Sequence, residues 1–96
     1  MKNNTLVMEE DGSVINYYFS EKEEKPTLEQ LQKMVGGYIE VVYADNGDQI
    51  ILDEEGRLKG KPLNEDASEY WLGDDWDEYN NIVGDAVILS GKAKLD

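Results

Sequence analysis

Cysteine and histidine are both absent from this 96-residue sequence. Without cysteine the chain can form no disulfide, no thiolate nucleophile and no cysteine-ligated zinc site. Without histidine it lacks the commonest metal ligand and the commonest general base. No motif among the other residues has the context that a catalytic site requires. We therefore expect a protein that is not an enzyme and uses no cofactor.

Long apolar stretches are missing as well. No run approaches the ~20 residues that cross a bilayer. The N-terminal sequence MKNNTLVMEEDG also contains no apolar core of a signal peptide. A chain of this length suits one domain, residues 1–96, with a single modest core. We expect a cytoplasmic protein that does not interact with membranes.

Positive charge is scarce. The sequence has 9 Lys and Arg residues against 22 Asp and Glu residues, so its net charge is −13. A magnitude of about 2–8 already keeps a small domain soluble, and a larger excess destabilises the compact state by self-repulsion. The charge opposes direct binding to nucleic acid or anionic lipid. The charge permits binding to a basic protein or to a divalent cation, and it also permits acids that are solvated without any partner.

Turn residues divide much of the chain into two hairpins. Residues 5–8 and 13–19 flank the turn signal EEDG, and the second of these segments is rich in β-branched and aromatic residues. Residues 38–43 and 49–53 flank an Asn-Gly pair, which is a strong hairpin signal. The sequence therefore predicts two hairpins, and it leaves the order of the strands in the sheet open.

The clearest element is a helix at residues 28–35. Thr27 is a favourable N-cap, Gln30 completes a capping box, and apolar residues recur on one face. Gly36 and Gly37 provide the C-terminal stop. A helix of this length is marginal alone, so it must pack on another element.

The remaining elements are a short helix and a final strand. Residues 65–72 are predicted to form the helix, with Asn64 as its cap, and residues 82–89 form an apolar run typical of a central strand. Together the patterns indicate an α+β fold in two layers. It consists of a small antiparallel sheet of about five strands with one main helix, 28–35, packed on one face.

An acidic segment is the most unusual local feature, because no Lys or Arg occurs between Pro62 and Gly91. Carboxylates at high density can compete with DNA, which carries one charge per ~1.7 Å of axis, for the same Lys and Arg side chains. The alternative is a solvated surface that only aids solubility. The candidate partner-binding residues are Glu65, Asp66, Glu69, Asp74, Asp75, Trp76, Asp77, Glu78 and Tyr79.

Aromatic residues are interleaved with these acids. We expect Tyr70 and Trp71 to be core residues of the second helix, because aromatic side chains dominate core packing. Trp76 has acids on both sides in the sequence. We expect it to be partly exposed and to contact the partner, since aromatic residues are enriched at interface hot spots.

The same acids offer oxygen ligands for calcium. Their spacing differs from that of the EF-hand loop, which needs acids at alternate positions, a Gly at the sixth and a Glu at the twelfth. A site for a hard cation also needs about six converging oxygens. We therefore predict no metal site.

A local basic cluster supports an alternative function. Arg57, Lys59 and Lys61 lie close together in the sequence EGRLKGK. Such a cluster is suited to a small module that binds or sequesters a nucleotide or another anion, with the site formed across an oligomer interface. Charge balance on a strand edge, where Lys is common, explains the same residues without a ligand.

Three motifs resemble those of a family of small proteins known only as a domain of unknown function. They are VGGYIE after the helix, DEEG with a following Leu-Lys-Gly and an Asn after Pro-Leu, and IVGD before an apolar strand. The resemblance covers residues 28–64 and 82–89. The glycines also have structural explanations, since Gly36 and Gly37 fit a helix stop and Gly84 fits a bulge or a close approach.

The resemblance implies a context rather than an activity. Members of that family occur in bacteriophages, plasmids and bacterial genomes, and the family offers no catalytic residues to transfer. It implies an accessory protein of a phage or mobile element that acts in the host-cell cytoplasm. Small acidic phage proteins are often inhibitors of host or defence proteins. The leading hypothesis is therefore an inhibitor of a basic host protein, acting by DNA mimicry. The oligomeric state stays open.

Overall fold

The protein folds around one antiparallel sheet. The computed structural model describes residues 4–17 and 26–95. Its strands are β1 (Asn4–Met8), β2 (Val14–Tyr17), β3 (Ile39–Tyr43), β4 (Gln49–Asp53) and β5 (Ala86–Ser90). Their order in the sheet is β2-β1-β5-β4-β3, and every neighbouring pair is antiparallel. The predicted α+β fold with five strands is confirmed.

Both predicted hairpins are present, and their loops share one geometry. In each loop a glycine, Gly12 or Gly47, has a positive φ of 94° or 88° and donates its N–H to the carbonyl three residues earlier. The preceding side chain, Asp11 or Asn46, accepts the N–H two residues further on. These are three-residue loops that end in a glycine bulge, rather than the two-residue turn that Asn-Gly often forms. Residues 18 and 19, the end of the predicted second strand, lie outside the described residues.

The two helices, α1 (Leu28–Val35) and α2 (Glu65–Leu72), have the predicted bounds and caps. Thr27 and Gln30 form the capping box of α1, with hydrogen bonds of 3.1 Å and 2.8 Å. Gly36 ends α1 in the left-handed conformation, with φ at 84°. The side chain of Asn64 caps α2 by accepting the N–H of Ala67 at 3.0 Å. Local capping chemistry therefore determines where both helices begin.

The helices cover opposite faces of the sheet. Leu31 and Val35 of α1 pack with Ile51 and Val87 in one core cluster, whereas Ala67 of α2 belongs to a second cluster that includes Ile50. The two-layer prediction was therefore wrong, because α2 adds a third layer. Helices on both faces explain the continuous apolar runs in β4 and β5, because a strand that is buried on both faces does not alternate apolar with polar residues. The two faces are called the α1 face and the α2 face below.

The final strand lies at the centre of the sheet, as predicted, but begins later than predicted. β5 pairs with β1 on one side and with β4 on the other, so it joins the two hairpins. Residues 82–85 do not belong to it. Val83 forms an isolated bridge with Leu63, and Gly84 turns the chain with φ at 77°. The apolar run continues through these residues because Ile82 is buried under α2, where it is 1% exposed.

Candidate functional site

The outer side of α2 carries three carboxylates. Ala67 and Ser68 face inward and are fully buried, whereas Glu65, Asp66 and Glu69 are exposed. A 3₁₀ turn at Gly73–Asp75 follows the helix and adds two further exposed acids. The name acidic surface is used below for this set, which comprises Glu65, Asp66, Glu69, Asp74 and Asp75.

The carboxylates of the acidic surface have no hydrogen bond or ion pair within residues 4–17 and 26–95. Glu65 and Asp66 lie in the first turn of α2, where the helix dipole favours negative charge. Glu69 lies in the last turn, where the dipole disfavours it, and no basic residue occupies that turn. Glu65 and Glu69 also form a like-charge pair at i and i+4, which destabilises a helix. The placement of Glu69 therefore opposes helix stability.

The turn between β1 and β2 brings further acids to the same region. Glu10 and Asp11 face the start of α2 across an open groove of about 370 Å³. Asp85 holds this turn in place, because its Oδ1 atom accepts the N–H of Glu10 at 2.9 Å. The sequence pattern alone does not connect Glu10 and Asp11 with the acidic segment. They lie more than fifty residues from α2, and no local pattern indicates the contact.

Asp77 differs from the other candidate acids, because it organises its own turn. Its Oδ1 atom accepts the N–H groups of Tyr79 and Asn80, both at 2.8 Å. These hydrogen bonds hold the pKa of Asp77 below its usual value. The turn presents Tyr79 to solvent with 80% of its surface exposed, and Trp76 is half-buried. Trp76 and Tyr79 therefore follow closely after the acidic surface in the sequence. Asp77 has a structural role, because it stabilises the turn that carries Tyr79.

Tyr70 and Trp71 pack against the core cluster of the α2 face but are only partly buried, whereas the sequence predicted core residues. The Tyr70 hydroxyl donates a short hydrogen bond to Asp48 in the hairpin after β3. Burial and this contact raise the pKa of Tyr70. The hydrogen bond joins the end of α2 to the β3–β4 hairpin, so the acidic surface is held on a fixed support.

The basic cluster is divided in the structure. Arg57 donates to the backbone oxygen of Asn81 at 2.7 Å and to its Oδ1 atom at 2.9 Å. Lys59 and Lys61 instead both bind Asp53, with Nζ–Oδ2 distances of 2.8 Å and 2.9 Å. Asp53 is 3% exposed and lies at the end of β4. The three cations therefore contact two separate places in the fold.

The two lysines also cap the end of α1. Lys59 donates to the carbonyl of Gly36 at 3.0 Å, and Lys61 donates to the carbonyl of Val35 at 2.6 Å. Burial raises the pKa of Asp53, but hydrogen bonds from both lysines and from a backbone N–H outweigh it and hold the pKa at about 2. The group of Asp53, Lys59 and Lys61 is called the lysine clamp below. An incoming anion would compete with a buried carboxylate there, so this geometry does not favour the nucleotide-binding hypothesis.

Glycines allow the close approach of backbone to the lysine clamp. A Cβ atom on Gly37 would lie 2.7 Å from Nζ of Lys59, and one on Gly84 would lie 2.7 Å from Cδ of Lys61. The three motif segments VGG, DEEGRLKGK and IVGD therefore meet at one place. Packing and helix capping explain their glycines and lysines without a ligand.

Replacing Gly84 by alanine tests this packing. We expect the free energy of unfolding to fall by about 2–3 kcal/mol, because the new Cβ meets Lys61 and because alanine is strained at positive φ. Urea titration gives the value. Gly60 is the matched control, since its φ is 70° and a Cβ added there would have no atom within 4 Å. Gly60→Ala should cost only about 1 kcal/mol, and equal losses in both variants would contradict the contact.

Neither helix within residues 4–17 and 26–95 has the length and apolar character needed to cross a bilayer. The same residues contain no group of three acids arranged to hold a metal ion. Comparison with curated proteins gave no match, and comparison with solved structures also gave none. A family model described as Domain of unknown function (DUF3846) matches residues 2–95. Since this match spans nearly the whole chain, the protein belongs to the DUF3846 family.

Proposed function

We propose that the protein binds a basic protein partner through the acidic surface and inhibits it. The observation that carries this proposal is the set of five exposed carboxylates on α2 and the turn after it, which have no partner among the residues that the structure describes. Unpaired like charges on one short helix cost stability. A basic partner would neutralise them and convert that cost into binding energy.

The spacing of the charges suits a surface that normally contacts nucleic acid. Taking rises of about 1.5 Å per residue in α2 and about 2.0 Å in the 3₁₀ turn, the five carboxylates lie along roughly 16 Å of chain, with a mean interval of about 4 Å. One strand of B-DNA carries a phosphate charge every ~3.4 Å. A groove that binds one nucleic-acid strand therefore offers Lys and Arg residues at a matching density.

Solubility alone is the competing explanation, and the position of the acids weighs against it. Acids that serve only solubility can occupy any exposed site, including helix N-termini where they are favourable. Glu69 instead lies in the last turn of α2, four residues after Glu65. The resemblance to phage- and plasmid-borne proteins adds a biological setting, in which the target is a nucleic-acid-binding or defence protein in the host cytoplasm.

Affinity capture from a bacterial lysate identifies the partner. The immobilised protein is washed along a salt gradient, and the eluted proteins are read by mass spectrometry. We expect a basic protein that elutes at moderate salt, because exposed charge pairs are screened within about 10 Å at 0.1 M salt. Added DNA should displace it. An empty capture at low salt would contradict the proposal.

Charge reversal on the acidic surface tests the site itself. The variant Glu69→Lys, Asp74→Lys, Asp75→Lys should bind the captured partner at least about 100-fold more weakly, because attractive pairs become repulsive. Its stability should stay the same or rise by about 0.5 kcal/mol, since a lysine at position 69 pairs with Glu65 and suits the helix dipole. Isothermal titration and urea unfolding measure the two effects.

The control changes net charge equally at a different place. Three exposed glutamates lie elsewhere. Glu29 is near the start of α1, and Glu54 and Glu55 follow directly after β4. The variant Glu29→Lys, Glu54→Lys, Glu55→Lys should lose less than about tenfold in affinity, through long-range charge alone. Equal losses in the two triple variants would show that only net charge matters and that the acidic surface is not the site.

A further inference from the structure

The outer edge of β3 carries open backbone groups. β3 is an edge strand that pairs only with β4 in the described sheet. Just outside the two strands, the N–H of Ala44 donates to the backbone carbonyl of Asp48, and the N–H of Glu54 donates to that of Tyr38, both at 3.0 Å. In an antiparallel ladder alternate residues point their backbone groups to the same side. Even-numbered residues therefore bond to β4, and Ile39, Val41 and Tyr43 direct theirs outward.

Within the described residues, the edge strand β3 contains no lysine, proline or bulge that would block pairing. Natural edge strands are protected by lysine, proline or bulges. β3 has the sequence IEVVY and an unbroken five-residue register with β4. No hydrogen bond reaches the outward groups of Ile39, Val41 or Tyr43 from the other described residues. The strand is thus a template for one more strand.

The two sides of this edge differ in chemistry. Ile39 and Val41 pack with the core cluster of the α1 face, and Tyr43 shares their side of the strand with 62% of its surface exposed. Glu40 is exposed on the other side, which is the α2 face, and Val42 beside it packs against the core cluster of that face. An added strand would meet apolar side chains on the α1 side, and on the α2 side it would meet the carboxylate of Glu40 beside the apolar Val42.

We propose that the partner's binding element is an extended segment of alternating basic and apolar residues, which adds to the outer edge of β3. Main-chain hydrogen bonds to Ile39, Val41 and Tyr43 give affinity, and alternate side chains give specificity. The basic residues face Glu40 and the α2 face, and the apolar residues face the α1 side. This inference rests on the proposed function and specifies how the partner is recognised.

Charge selects a basic segment over a second copy of this chain. Two copies joined at β3 would bring together two molecules that each carry a net charge of −13. Like charges across an interface are unfavourable and suppress that pairing. A basic segment instead attracts the acids of this protein and lowers the repulsion among them when it binds.

Backbone amide exchange provides the test, with the synthetic peptide acetyl-Lys-Val-Lys-Val-Lys-Val-Lys-amide as the probe. In the free protein the N–H groups of Ile39, Val41 and Tyr43 should exchange much faster than those of Glu40 and Val42. Saturating peptide should slow exchange at those three positions by at least about tenfold. A peptide of the same composition with valines and lysines in two blocks should give little protection.

A proline substitution separates backbone bonding from side-chain contact. Tyr43→Pro removes one outward N–H and leaves the bonds to β4, which an edge strand tolerates. It should weaken binding of the alternating peptide at least tenfold, whereas Tyr43→Ala should weaken it less than about threefold. Circular dichroism confirms that both variants are folded.

The outcomes distinguish this inference from the proposed function. Binding that is lost on reversal of the acidic surface, without protection of the three amides, would overturn strand addition and leave the proposed function intact. Equal effects of Tyr43→Pro and Tyr43→Ala would also overturn it. Absence of peptide binding at low salt would overturn it too, and capture of a basic partner tests the proposed function independently.

Discussion

Replacing Asn64 by alanine is expected to lower the free energy of unfolding by about 4 kcal/mol, a large part of the ~5–15 kcal/mol that stabilises a typical domain. Asn64 is 1% exposed. Its Nδ2 atom donates to the carbonyls of Met8 and Gly84, both at 2.8 Å, and its Oδ1 atom caps α2. One side chain therefore joins β1, the segment before β5, and α2.

The size of the loss follows from the groups left without partners. Removing a helix cap costs about 1 kcal/mol. Each buried carbonyl that loses its donor costs a further ~1–3 kcal/mol, because water cannot replace the hydrogen bond. Urea unfolding followed by the fluorescence of Trp71 and Trp76 measures the total. A loss below about 1 kcal/mol would contradict this role of Asn64.

Serine at position 64 separates the two contributions. Its hydroxyl caps a helix well, but it is too short to reach Met8 and Gly84. We expect Asn64→Ser to recover about 1 kcal/mol relative to Asn64→Ala. Equal stability of the two variants would mean that capping contributes nothing, and full recovery would mean that the buried carbonyls need no donor.

Replacing Asp53 by asparagine is expected to cost about 3 kcal/mol at pH 7. Both lysines of the clamp bind Oδ2 of Asp53, so removing its charge leaves two ammonium groups close together. Removing one partner of a buried ion pair is destabilising by about 3–5 kcal/mol. The lower end applies, because the side chains of Lys59 and Lys61 are 40% and 22% exposed. The control is Asp45→Asn, which alters an exposed carboxylate and should change stability by less than about 0.5 kcal/mol.

The effect of Asp53→Asn should depend on pH. The pKa of Asp53 is about 2 in the folded protein, below the ordinary 3.8. A depressed pKa gives stability that is present above pH 3.8 and is lost as pH falls towards 2. The difference between wild type and variant should therefore shrink by about 2 kcal/mol between pH 5 and pH 2. A constant difference over that range would show that Asp53 is not held ionised by the clamp.

Local patterns predicted the elements well because their causes are local. The bounds of α1 and α2 follow from caps whose hydrogen bonds span three or four residues, such as Thr27 with Gln30. The final strand was placed too early, because burial under α2 extends the apolar run through Ile82. Burial against a distant helix leaves the same pattern in a sequence as burial in a strand.

The candidate site was predicted only in part. The acids were singled out as one segment without Lys or Arg, and Trp76 is half-buried, in agreement with its expected partial exposure. The structural role of Asp77 and the nearby position of Glu10 and Asp11 were missed. Each depends on a turn geometry or a contact between distant segments that residue types alone do not specify.

The sequence by itself determined the net charge, the helix bounds and both hairpins, because composition and hydrogen bonds between near neighbours decide them. Only the tertiary structure decided which faces the helices cover, which strand edge is open and where the lysines are bound. Lys61 reaches Val35, 26 residues away, and Asn64 reaches Met8, 56 residues away. Such contacts form only when the whole chain packs, since their free energy depends on burial that no short segment provides.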